Sequence, residues 1–78
     1  MKNELALSER ITRWRESRDL TKADLARLLN VSTAAVSLWE QGASSLTLDR
    51  VTALADALGI TLSEFFGPLP KAKTAKAG

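Results

Sequence analysis

The residues able to do chemistry in this 78-residue chain are of a narrow kind. Histidine and cysteine are both absent, so the usual zinc ligand sets, disulfide scaffolds and Ser-His or Cys-His nucleophile pairs are excluded together. The serines and threonines therefore have no imidazole base, the acids are scattered, and no catalytic constellation emerges. No enzyme is expected, and no cofactor, metal or small-molecule ligand is evident. What is left is the chemistry of recognition. It concentrates between Lys22 and Gln41, KADLARLLNVSTAAVSLWEQ, where Val36 and Trp39 lie i, i+3 on one helical face and Thr33, Ala34, Ser37, Leu38 and Gln41 are left on the other. A generic surface helix carries long charged residues on its outer face. Here that face, Ala35 included, is small or apolar, which suits close approach.

Two helices and a tight turn must position that face. In the first, Leu25, Leu28 and Leu29 fall at helical spacing, and Ala26 offers a small side chain where another helix can cross closely. Thr21 is placed as its N-cap, with Asp24 three residues later as the acidic partner of a capping box. Asn30 tolerates a left-handed backbone and so ends it. Val31 then plugs the turn and Ser32 caps the second helix. So short a connection makes the two helices cross steeply.

The flanking chain reads as support. Ser8 is placed to cap a helix over 8–18 whose stripe is Leu7, Ile11 and Trp14, and which is expected to fray at Asp19. Gly42 ends the second motif helix. Thr47 caps a helix over 48–58 with Leu48, Val51, Leu54, Ala55 and Leu58 on its inner face, closed by Gly59. Thr61 or Ser63 caps a last turn bearing Leu62, Phe65 and Phe66. Adjacent helical positions point about 100° apart, so one of the two phenylalanines should pack inward and the other reach a partner copy. The expectation is an all-α domain of five short helices, near 8–18, 22–29, 33–41, 48–58 and 62–66.

A chain that is 45% hydrophobic and 26% charged has an ordinary globular composition and the length of one domain. A domain of about 60 residues buries only about 60% of its unfolded surface, so dimerisation should help it. No apolar run approaches the roughly 18 residues that span a bilayer. The amino terminus MKNELALSER also lacks the apolar core of a signal peptide, and a cytoplasmic location is expected. After Gly67 the composition shifts to PLPKAKTAKAG, with Lys71, Lys73 and Lys76 and no acid; residues 1–67 alone sum to −1 against +2 for the whole chain. The expected division is an amino-terminal arm 1–7, a domain 8–66 and a disordered basic tail 67–78.

On these residues the chain resembles the Cro/CI-type (Xre-like) helix-turn-helix regulators. Ala26, Asn30, Val36 and Trp39 stand where that family has its small residue, its turn glycine, its buried branched aliphatic and its large apolar anchor. The likeness runs outward through RITRWRESRDLT, LWEQG and LTLDRVTALADALGITLSEFF, over about residues 7–66. It implies a lambda-repressor-like fold with the helix-turn-helix at the second and third helices, binding to double-stranded DNA as a homodimer, and a regulatory role, repression above all. Thr33, Ala34, Ser37, Leu38 and Gln41 would then face bases in the major groove. Lys22, where relatives usually have glutamine, together with Ser32, Ser44 and Thr47 would meet phosphates. Phe65 and Phe66 would serve the dimer, and Arg15 would brace Glu40. The chain departs from the family in lacking an Arg, Gln or Asn early in the third helix and in showing no basic footprint by net charge. The alternative is an adaptor that binds a protein through the same face, as an antitoxin-like module would, with Leu38 as its apolar contact.

Overall fold

The computed structural model describes residues 6–43 and 45–70. Five helices follow one another: α1 (Leu7–Ser17), α2 (Lys22–Leu29), α3 (Thr33–Glu40), α4 (Leu48–Leu58) and α5 (Leu62–Phe66), with no strand among the described residues. The last four begin on hydroxyl caps. Thr21, Ser32, Thr47 and Thr61 each accept from the backbone N–H three residues on, and Asp24 and Glu64 return the bond to complete capping boxes. The start of α1 differs from expectation. It begins at Leu7 after Ala6, which makes no side-chain cap, and Ser8 lies inside the first turn, where its carbonyl accepts from the Thr12 hydroxyl at 3.2 Å.

Four helix ends close by one device. Asp19, Asn30, Gly42 and Gly59 take positive φ (59°, 60°, 74° and 76°), and the next residue's N–H reaches back to a carbonyl five residues earlier. These returning bonds are Leu20 to Arg15, Val31 to Ala26, Ala43 to Leu38 and Ile60 to Ala55, 2.9–3.2 Å long. At Asp19 the expected fraying gives way to a closed, hydrogen-bonded end.

Ile11, Leu25, Ala26, Val36, Trp39, Val51, Leu54, Ala55, Leu58, Ile60 and Phe65 form one core that every helix enters. Two leucines counted in apolar stripes lie outside it: Leu28 is 57% exposed and Leu48 68%. Leu28 stands about 100° from both Leu29 and Arg27, so the turn that seats Leu25 and half-buries Leu29 leaves it facing water. Leu48 is the first residue of α4, a turn ahead of the buried Val51.

Candidate nucleic-acid interface

The outer face of α3 is set by what its inner face buries. Val36 is fully buried and Trp39 nearly so, against Leu25 and Ile11 of the same core. That fixes the rotation of the helix and leaves Thr33, Ala34, Leu38 and Gln41 exposed, Leu38 at 45%, with Ser37 half-buried. Ala35 does not belong to this face: it is half-buried and packs on the core. Gln41 is the residue after the helix rather than its last one.

The far end of α3 is braced by charge. Arg15 grips Glu40 with two parallel bonds, Nε to Oε2 at 2.7 Å and Nη2 to Oε1 at 3.1 Å, and its Nη1 donates to the Leu20 carbonyl at 2.8 Å. The single hydrogen of the Thr12 hydroxyl, within reach of the Ser8 carbonyl, is shared with Glu40 Oε1 at 3.0 Å. Both side chains are almost withdrawn from water, 11% and 5% exposed. The hydrogen bond to Glu40 outweighs desolvation and holds Arg15 above even the ordinary arginine range. A bidentate pair of this kind fixes orientation as well as distance. α1 thereby grips the carboxyl end of α3, one residue from Gln41.

Among the expected phosphate contacts, Ser32 and Thr47 are the helix caps already described. Each hydroxyl oxygen accepts a backbone N–H, at 3.1 and 3.2 Å, which leaves its own hydrogen to donate outward. Lys22 is the first residue of α2, half-buried, and in no ion pair among the described residues. Ser44 lies outside the described residues, as do 71–78 of the basic tail.

At the opposite end, Phe65 is wholly buried, so it is closed to a partner copy and Phe66, 51% exposed, is the one of the two left to reach it. The Phe66 ring stands edge-on to Phe65 with centroids 5.1 Å apart. Arg10 Nη1 donates to the carbonyls of Phe65 and Gly67 at 3.0 and 2.8 Å, and Trp14 Nε1 donates to Phe65 O at 3.3 Å. These clamps, like Thr12 on Glu40, were not legible in sequence, because each joins residues 28 or more positions apart.

Comparison with known proteins places this geometry. The helix-turn-helix family matches residues 11–65. The chain is similar to the DNA-binding domain of the P22 c2 repressor, with 27% identity, a TM-score of 0.79, and 95% of this chain covering 99% of that one. It is also similar to the restriction-modification controller protein C.AhdI from Aeromonas hydrophila, with 28% identity, a TM-score of 0.72, and coverage of 77% and 91%. A helix-turn-helix family transcriptional regulator from Vibrio cholerae shares 32% identity at a TM-score of 0.72 over 77% of this chain. The chain spans about a third, 34%, of that regulator's length. No curated protein sequence matches the chain.

Proposed function

Since the chain belongs to the helix-turn-helix family over most of its length, we propose that it is a sequence-specific double-stranded DNA-binding regulator, acting as a repressor, with α3 laid in the major groove. The observation that carries this is the rigidly mounted outer face of α3. Thr33, Ala34, Ser37 and Leu38 are too short to hold a partner at a distance, yet the helix beneath them is fixed by Val36, Trp39 and Glu40. Methyl and hydroxyl groups of this size fit the thymine methyl edge. With Gln41 as the only long amide, bidentate reading of guanine is sparse, and DNA deformability supplies further discrimination.

In this reading Lys22, Ser32, Ser44 and Thr47 meet phosphates, which position the domain without reading sequence. The unit that binds is the domain expected over 8–66, which α1 extends by one residue to Leu7, with an arm before it and a basic tail after it. Two copies meet through Phe66 and address half-sites roughly 34 Å apart. Among the described residues no helix is long and apolar enough to cross a membrane, in keeping with action in the cytoplasm.

The test is selection of bound duplexes from a random pool at two salt concentrations, followed by thymine-to-uracil substitution across the selected site. A site rich in T·A pairs, weakened by loss of the methyl groups and by salt, is the expected result. The exposed Leu38 also fits a protein partner. Salt-insensitive capture of a protein with no duplex selected would favour that adaptor reading.

A further inference from the structure

Arg50 has not entered the interface so far. Arg15 and Arg27 are neutralised by ion pairs with Glu40 and Asp24, and Arg10 is spent on carbonyls. Arg50 meets no acid among the described residues; its guanidinium carbon stands 5.2 Å from the centre of the Trp39 ring. Its place in the fold is a poor one for a cation. It lies in the first turn of α4, its backbone N–H bound to the Thr47 hydroxyl, at the positive end of the helix dipole. Arg18 also stacks on a tryptophan, Trp14, at 5.8 Å, but it stands at the carboxyl end of α1, where the dipole favours positive charge. Arg18 therefore needs no ligand to account for its charge. At Arg50 an uncharged side chain of similar length would cover the indole without opposing the dipole.

Trp39 adjoins Leu38 in sequence, so the Arg50 guanidinium is held beside the carboxyl half of α3. The one acid of that helix, Glu40, is already committed to Arg15. A half-exposed planar cation with five donors, held on an aromatic face, is suited to a phosphate. We infer that Arg50, positioned by the face of Trp39, contacts a backbone phosphate and carries the DNA footprint from Thr47, the cap of α4, into the first turn of that helix. The inference rests on the DNA-binding reading above.

The experiment compares wild type, Arg50→Met and Arg50→Lys by titration of a labelled selected duplex and an unrelated duplex over a range of salt. Arg50→Met keeps the apolar cover of Trp39 and loses the charge. It should weaken both duplexes alike, roughly tenfold, and reduce the slope of log affinity against log salt by about 0.9. Arg50→Lys should keep the wild-type slope. A folded Arg50→Met with unchanged slope, a loss confined to the selected sequence, or a lysine variant that loses slope as methionine does would each overturn the assignment. If Arg50→Met does not fold, the Arg50 Nε–Hε resonance of the wild-type protein decides: it should shift when duplex is added, and an unmoved resonance overturns the proposal. Wild-type protein that binds no duplex even at low salt would instead overturn the DNA-binding reading itself.

Discussion

On its inner side α3 presents Val36, Trp39 and Glu40, buried or gripped by α1. Around the same eight residues Ala34 and Leu38 stand about 160° from Val36, and Thr33, in the first turn, about 60° from it; the side chains of all three make no hydrogen bond or ion pair among the described residues. One helix thus carries two regions under opposite constraint. The inner side is over-determined by packing and by a bidentate ion pair, while the outer side is left uncommitted. On the DNA-binding reading proposed above, holding and reading fall to different residues, so a change on one side should leave the property of the other intact.

The sharpest way to break this comparison is Trp39→Ala. Truncating a core aromatic that is only 7% exposed should cost about 3–5 kcal/mol, much of a small domain's stability. A melting temperature within a few degrees of wild type would show that the inner side does not hold the helix. Next comes Glu40→Ala, which strands a buried Arg15 and should cost about 3 kcal/mol in denaturant unfolding. Replacing both partners by apolar residues of similar volume should recover most of that loss, because the cost lies in the unpaired charge.

Smaller again is Asp24→Asn, at the start of α2. Hydrogen bonds from the Thr21 backbone and hydroxyl hold Asp24 below the usual carboxylate range. A depressed folded pKa contributes stability that is present above the unfolded pKa and lost as pH falls through the folded one. The variant should melt slightly earlier at neutral pH, and the difference should vanish in acid. The smallest effect on stability, within about 0.5 kcal/mol, belongs to the exposed Leu38→Glu. The same change should abolish binding to a selected duplex in a gel-shift titration, by bringing a carboxylate among phosphates. Unimpaired binding would remove the outer face of α3 from the interface.

How much of this was legible in sequence depends on the range of the interaction. Caps are local chemistry, so Thr21 with Asp24, Ser32, Asn30, Thr47 and Gly59 stand where their residue types place them, and α2, α4 and α5 have the expected bounds. Apolar spacing located Val36 and Trp39 but overcounted Leu28 and Leu48, since periodicity marks a stripe without saying how wide its partner surface is. Ser8 failed as a cap because α1 starts one residue earlier, at Leu7. The stacking of Arg50 on Trp39 and the bonds of Arg10 and Trp14 to Phe65 join separate helices, and no local pattern announces them. For the outer face of α3, sequence supplied the residues and the structure their exposure.

The bond from Trp14 Nε1 to Phe65 O has a spectroscopic consequence. The chain has two tryptophans, Trp39 on the inner side of α3 in the core and Trp14 tied to the carbonyl end of a five-residue helix. Intrinsic emission therefore carries two reporters of different regions. Short terminal elements open at lower free energy than the core they dock on. Release of α5 would expose the Trp14 indole to water and redden its emission while Trp39 stayed shielded. A Trp14→Phe protein would report the core alone, and the difference between the two emission curves would isolate the undocking of the carboxyl-terminal turn.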